Sequence, residues 1–256
     1  NANEKGALRK MITKALFKKI RKYVKPRYLL QSRIRRCRCC GKISFIVCLN
    51  EMDEFRICLR CRANMRYEML AECLDEMTDL ENKVIVELDD RSPLYQKLRN
   101  YKNYVRTFYS EKIPFGTITD KGTRCEDIQN MTFKDNSVDL MISSDVLEHV
   151  CDIDKAFHEM KRVLKPGGKH IFTIPMYDGK TRQRATIENG EIKYLMPPEY
   201  HCDPAKDGDG FILVYWDYGM DLAERYTDDT FRVSVLKGPF GKDGKIVWCA
   251  EKLSVE

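Results

Sequence analysis

Two pairs of cysteines carry a strong chemical signal. Two residues separate Cys37 from Cys40 and two separate Cys58 from Cys61, with seventeen residues between Cys40 and Cys58. That spacing lets both sulfurs of a pair face one ion while the amides of a tight turn point at them, and Gly41 supplies the backbone freedom such a turn often needs. Four thiolates close a tetrahedron and leave no open position for water, so the expected metal is a structural zinc. Cys39 fits only a less regular spacing, and Cys48 is expected to pack in the intervening loop. The eleven cysteines are odd in number and six of them fall between Cys37 and Cys61, which favours metal binding over a disulfide framework.

A second set of residues could move protons and hold a substrate. His201 lies in the run Pro197-Pro198-Glu199-Tyr200-His201-Cys202-Asp203-Pro204. Imidazole titrates near neutrality, which makes His201 the candidate general base; a structural histidine in a proline-fixed loop is the alternative. Tyr177, Glu199 and Tyr200 belong to the same long segment and could bind a hydroxyl-rich substrate or simply pack. Asp145 and His149 are expected to face the substrate in the run Ser143-Ser144-Asp145-Val146-Leu147-Glu148-His149, where His149 orients or caps the segment.

Strands alternating with helices must position these groups. Val84–Glu87 is a short apolar strand, Tyr104–Tyr109 a second, Gly122–Cys125 a third and Val138–Ser143 a fourth. Ile153–Leu164 has helical spacing, Pro166-Gly167-Gly168 reads as a turn, and Lys169–Ile174 makes a fifth strand. Phe231–Leu236 and Lys245–Ala250 flank Asp243-Gly244 and should pair as an antiparallel hairpin. The class is therefore α/β. Ser143, Ser144 and Asp145 fall at the carboxyl end of the fourth strand, the edge where open α/β sheets bind ligands. The segment from Pro175 to Pro204 reads as long and irregular, as a ligand-binding insert would be.

The run from Cys125-Glu126-Asp127-Ile128 through Asp139 and Ser143-Ser144-Asp145-Val146-Leu147-Glu148-His149-Val150, followed by Val163-Leu164-Lys165-Pro166-Gly167-Gly168, closely resembles the central motifs of class I S-adenosylmethionine-dependent methyltransferases. A weaker likeness extends over residues 80–250. The resemblance implies a Rossmann-like, doubly wound, mostly parallel seven-stranded sheet with an antiparallel C-terminal hairpin, preceded here by a small zinc-ribbon-like module. It also implies S-adenosylmethionine as cofactor and methyl transfer to oxygen or nitrogen. Carried over by position, it puts Asp127 beside the adenine amino group, Ile128 against the ring and Glu111 on the ribose hydroxyls. Glu87 and Asp89 belong near the methionine end, with Asp89 or Asp90 toward the ammonium and Arg91 toward the carboxylate. Ser143 and Ser144 complete the cofactor edge. One departure stands out: no glycine occurs between Lys83 and Gly116, where the family keeps several, so the methionine end must be built differently. The segment after the fifth strand is similar to that of bacterial methyltransferase-domain proteins found with surface-polysaccharide genes, which implies a glycan or small-molecule acceptor.

The net charge of +6 conceals an asymmetry, since residues 1–36 hold thirteen Lys or Arg against the single acid Glu4. From Lys5 to Val24 the apolar residues recur at helical spacing with lysines on the other faces, a basic amphipathic helix that should stop before Pro26. A peripheral contact of residues 1–25 with an anionic membrane surface is one reading, docking on the body a second, and nucleic acid a third. No run is apolar and long enough to span a membrane, so the expected location is cytoplasmic, with the inner membrane face as the place a leader contact would hold it. The expected organisation is a basic leader over residues 1–36, a zinc knuckle and linking helix over 37–78, and the sheet body over 79–256. Two rivals to methylation of a glycan or small molecule are an rRNA or tRNA methyltransferase and a catalytically inactive binding protein on the same fold.

Overall fold

The computed structural model describes residues 24–202 and 210–254. The amphipathic helix expected over Lys5–Val24 lies, apart from Val24, outside the described residues, and so do Asp203 and Pro204 of the insert. After a helical turn at Pro26–Leu29 come three antiparallel strands, β1 (Arg33–Arg36), β2 (Ile43–Cys48) and β3 (Arg56–Cys58), in the order β1-β2-β3. Helix α1 (Met65–Asp75) follows, its first turn capped by the Asn64 side chain, which accepts from the Tyr67 amide. This is the linking helix expected before residue 78. It ends at Asp75, and a separate 3-10 turn carries Leu80–Asn82.

The body is one seven-stranded sheet. Its strands are β4 (Ile85–Glu87), β5 (Tyr104–Phe108), β6 (Thr123–Cys125), β7 (Val138–Ser144), β8 (Leu164–Thr173), β15 (Phe231–Phe240) and β16 (Lys245–Lys252), in the order β15-β16-β8-β7-β4-β5-β6. Strands β4 to β8 pair in parallel; β16 pairs antiparallel with both β8 and β15. This is the mostly parallel, doubly wound α/β sheet with an antiparallel C-terminal hairpin that the sequence implied. Strand β8 starts earlier than expected. Val138 pairs with Leu164 but Leu140 with Lys169, so Pro166-Gly167-Gly168 is a bulge within the strand and not a turn before it. Gly167 takes φ +77° there, and a Cβ on Gly168 would lie 2.8 Å from the Lys165 carbonyl oxygen.

Alternation along the strands feeds two cores. Val86, Met141, Phe172, Trp248 and Ala250 point to one face, where they meet α2 (Ile153–Val163) through Ala156, Phe157, Met160 and Val163. Those positions recur at helical spacing, and the Asp152 side chain caps the helix by accepting from the Lys155 amide at 3.1 Å. Ile85, Leu140, Ile142, Ile171, Val247 and Cys249 point to the other face, against Met69, Leu70 and Leu74 of α1 and against Cys37, Cys39, Ile46 and Cys58 of the small module. The module and α1 thus cover one face of the sheet and share its core. Full burial of side chains such as Leu70 and Leu74 stabilises the fold by about 1.5–3 kcal/mol each.

The insert after β8 is more regular than its composition suggests. Three two-stranded antiparallel sheets form from β9 (Arg182–Gln183) with β14 (Trp216–Asp217), β10 (Ala185–Glu188) with β11 (Glu191–Tyr194), and β12 (Tyr200–Cys202) with β13 (Phe211–Leu213). No helix among the described residues is long and apolar enough to cross a membrane.

Candidate active site

The four sulfurs of Cys37, Cys40, Cys58 and Cys61 converge, all within 4.8 Å of one another. Two equivalent turns bring them there. Gly41 N donates to Cys37 O at 2.9 Å and Arg62 N to Cys58 O at 2.8 Å; Cys37 N donates to Lys42 O and Cys58 N to Ala63 O. The residue after each second cysteine is left-handed, Gly41 at φ +66° and Arg62 at φ +65°. Gly41 was legible as a turn former; Arg62 was not. Neither Cys39 nor Cys48 belongs to the tetrad; their thiols donate to Tyr67 O and Asn50 O, each at 3.3 Å. A second grouping of Cys37, Cys39 and Glu68 is also close, but Glu68 is taken by Arg35 at 2.7 Å.

The carboxyl ends of β4, β5 and β6 present acidic groups along one edge. Glu87 ends β4 and is almost fully buried; the Tyr104 hydroxyl donates to it, and burial pushes its carboxyl up to about 8. Asp89 follows, accepting from the Tyr67 hydroxyl and the Arg91 amide, both at 2.8 Å, and burial again favours its neutral form. Where glycines were missing, the structure therefore has a knot of Tyr67, Glu87, Asp89 and Tyr104, with Arg106 donating to Asp90 O at 3.0 Å. Beyond β5, Glu111 is exposed and accepts from Tyr109 at 3.1 Å. Beyond β6, Asp127 accepts from the amide and side chain of Gln129 while Ile128 is buried beside it.

The end of β7 splits the expected cofactor residues. Ser143 is buried and paired with His170 at 2.9 Å, inside the sheet and not on its edge. Burial pushes His170 down to about 3, so it is a neutral core histidine. Ser144 and Asp145 do reach the edge, where Arg66 of α1 meets both, at 3.2 Å and 2.5 Å. Arg66 also pairs with Glu54 at 2.9 Å, which Lys245 in turn meets at 2.8 Å. Asp145 sits at φ +52°, an uncommon conformation for a residue with a side chain. Arg66 and Glu54, absent from any motif, thus tie the cysteine module to this edge.

One turn beyond Asp145 lies a cluster of Glu148, His149 and His201. The ring edges of His149 and His201 lie 3.7 Å and 3.6 Å from Glu148 Oε1, and the two rings meet edge to face with centroids 5.0 Å apart. His149 Nδ1 faces Leu213 O at 2.8 Å. Glu148 is fully buried, and neither carboxylate oxygen has a hydrogen-bond partner within normal distance. Burial pushes its carboxyl up to about 7, and Glu148 in turn raises His201. Sequence reasoning passed over Glu148; its only local signal is a carboxylate set among Val146, Leu147 and Val150.

The insert forms the rim. Arg184 pairs with Asp217 at 2.7 Å and with Glu199 at 3.1 Å, and Glu199 lies 3.8 Å from His201 Nε2. Tyr200 shares a 3.2 Å hydroxyl contact with Tyr194, and both rings are exposed. Tyr177 is held elsewhere, stacked under Arg182 at 3.9 Å, and is not brought to the histidine cluster.

Residues 100–172, which hold β5 to β7, β8 but for its last residue, and every group from Glu111 to His149, match the model of a methyltransferase-domain family. A protein of Encephalitozoon cuniculi described as a candidate methyltransferase is 32% identical over 113 residues, which cover 42% of this chain and 50% of that protein. Phosphoethanolamine N-methyltransferase 2 of Caenorhabditis elegans is 43% identical over 42 residues, 16% of this chain and 10% of the relative. The chain thus spans half or less of these relatives. Among solved structures, an S-adenosylmethionine-dependent methyltransferase from Mesorhizobium loti is similar with TM-score 0.42 and 16% identity, covering 71% of this chain and 96% of that one. A 1,6-didemethyltoxoflavin-N1-methyltransferase from Burkholderia thailandensis, solved with S-adenosylhomocysteine, gives TM-score 0.44 and 12% identity over 67% of this chain and 72% of that one.

Proposed function

We propose that the protein transfers a methyl group from S-adenosylmethionine to a hydroxyl or amine of a glycan or small-molecule acceptor seated under the insert. The observation that carries this reading is the row of carboxylates Glu87, Glu111 and Asp127 at successive strand ends, beside Glu148, His149 and His201, in a methyltransferase fold. The cofactor suits these groups. Asp127 would accept from the adenine amino group, Ile128 would back the ring, and Glu111 would take the ribose hydroxyls. Glu87 is a buried carboxyl that a cationic group beside it would help to ionise, so Glu87 and Asp89 suit the ammonium of the methionine end. When bound, the cofactor supplies an electrophilic methyl on a sulfonium whose sulfur is already a good leaving group.

The chain's own part is to place the acceptor and handle its proton. His201 lies in the insert strand β12, 3.6 Å from Glu148, and would handle that proton; the exposed Tyr194 and Tyr200 rings of the same insert suit the apolar faces of a sugar. Cys37, Cys40, Cys58 and Cys61 would hold a structural zinc: sulfurs about 2.3 Å from a tetrahedral ion lie about 3.8 Å apart, and Cys37 and Cys61 already stand at 3.6 Å. The zinc would fix the turn before α1 and so set Arg66 against Asp145. The reading includes a cytoplasmic location and contact of residues 1–25 with an anionic membrane face; deleting them should lower binding to phosphatidylglycerol vesicles, and unchanged binding removes that part.

The test is transfer of radiolabelled methyl from the cofactor to a panel of nucleotide sugars, lipid-linked glycans, small hydroxyl compounds and RNA. Incorporation into a glycan or small molecule, lost in Asp127→Ala, supports the reading. Incorporation into RNA alone replaces it with the RNA-modifying rival.

A further inference from the structure

The Glu148, His149 and His201 cluster is unusual for a group that only handles protons. Glu148 sits at the heart of the fold's edge with its side chain 1% exposed, and neither oxygen makes a hydrogen bond. A buried carboxylate in that condition is costly unless a positive partner arrives. The three side chains point one ligand atom each into a common space within 4.8 Å. Two ligands about 2.1 Å from one ion stand about 3.0–3.4 Å apart at octahedral to tetrahedral angles. The separations of 3.7 Å and 3.6 Å between Glu148 Oε1 and the two ring nitrogens need close by only a few tenths of an ångström.

The second nitrogens of both rings fit the same purpose. His149 Nδ1 is hydrogen-bonded to the Leu213 carbonyl, which fixes its proton there and turns the Nε2 lone pair toward Glu148. His201 shows its Nδ1 to Glu148 and its Nε2 to the carboxylate of Glu199 at 3.8 Å. An imidazole whose far nitrogen meets a carbonyl or a carboxylate is how metal-binding histidines are held. The elements that present the ligands are independently anchored: Glu148 and His149 by the 3-10 turn Leu147–His149, His201 by its pairing with Ile212.

We propose that Glu148, His149 and His201 bind a divalent first-row cation, of the Mn²⁺, Fe²⁺, Co²⁺ or Zn²⁺ type, that grips the hydroxyl of the acceptor. Two imidazoles and one carboxylate suit these borderline cations better than Mg²⁺ or Ca²⁺, and three protein ligands leave positions open for the acceptor. The proposal rests on the methyl-transfer reading and narrows its acceptor to a hydroxyl. His201 then serves as a ligand, and the acidity of the acceptor comes from the cation. The acceptor hydroxyl gives its proton to solvent, its oxygen lone pair forms the bond to the methyl carbon, and the electron pair of the breaking S–C bond returns to sulfur.

The experiment uses the full chain after mild chelation that leaves the cysteine-bound zinc in place, verified by metal analysis. Mn²⁺ alone is titrated and followed by electron paramagnetic resonance, with S-adenosylhomocysteine binding measured in parallel by calorimetry. One saturable Mn²⁺ site is expected, weakened at least ten-fold in both Glu148→Gln and His201→Gln, while S-adenosylhomocysteine binds all three proteins alike. His201→Gln alters a partly exposed strand, so its S-adenosylhomocysteine binding also reports that the fold is intact. A Mn²⁺ site that persists unchanged in both variants, or no Mn²⁺ site with normal S-adenosylhomocysteine binding, overturns the cation proposal and leaves methyl transfer standing. Mn²⁺ bound through Glu148 and His201 with no S-adenosylhomocysteine binding upholds the site and defeats the methyl-transfer reading instead.

Discussion

Replacing Arg66 with methionine should test how the cysteine module holds the active edge. Methionine keeps most of the stem and removes the charge, which leaves Asp145 and Glu54 facing each other across the gap once spanned by 2.5 Å and 2.9 Å ion pairs. Removing one partner of a buried pair costs about 3–5 kcal/mol. Here the two carboxylates are still 21% and 25% exposed, so water recovers part of the loss and about 2–4 kcal/mol is expected. The assay is urea unfolding followed by circular dichroism at pH 7, run on Arg66→Met, Asp145→Asn and the double variant. Because Arg66 and Asp145 touch, the double variant should be more stable than the sum of the single losses predicts, by about 1–3 kcal/mol. A loss in Arg66→Met below about 0.5 kcal/mol, or strict additivity with Asp145→Asn, would refute the clamp.

The other expectations are narrower. Cys58→Ala with Cys61→Ala should release about one zinc per chain. Since Cys58 shares a core with Leu70, Leu140 and Val247, the whole chain should also unfold at lower urea; metal content that stays the same contradicts the zinc site, and a sheet that unfolds at an unchanged midpoint contradicts the shared core. Glu87 keeps in the folded state, up to about pH 8, a proton that the unfolded chain releases near 4.5. Its contribution is therefore complete below pH 4.5 and is lost as pH rises toward 8, with a slope of at most about 1.4 kcal/mol per pH unit. Glu87→Gln should flatten that part of the stability profile, and parallel profiles for the two proteins would show that burial does not hold the proton.

Much of this molecule is written locally. The apolar runs 84–87, 104–109 and 138–143 are strands because alternate residues feed two opposite cores, and the hairpin around Asp243-Gly244 follows from its turn chemistry. The cysteine spacing led to a tetrad because each pair closes its own turn. Other features depend on distant partners. Nothing near Glu148 in sequence announces His201, which reaches it only through the β12–β13 pairing. Arg66 reads as an ordinary charged residue at the start of a helix until Asp145 is placed beside it. Ser143 and Ser144 look alike in sequence, yet strand alternation sends one to His170 and the other to the edge. The Asn189-Gly190 dipeptide is a local hairpin signal: both residues are left-handed, at φ +53° and +82°, and they close the β10–β11 hairpin. Its strands carry no comparable signal, because their largely exposed faces show no apolar alternation.

Whether the strand-end carboxylates make a cofactor site is tested most directly by calorimetric titration of the full chain, and of Asp127→Ala, with S-adenosylhomocysteine. Saturable binding to one site, weakened at least ten-fold in Asp127→Ala, is the predicted result. A folded, zinc-loaded chain that gives no binding heat and no rise in thermal stability, or an Asp127→Ala protein that binds as tightly as the parent, would contradict the account.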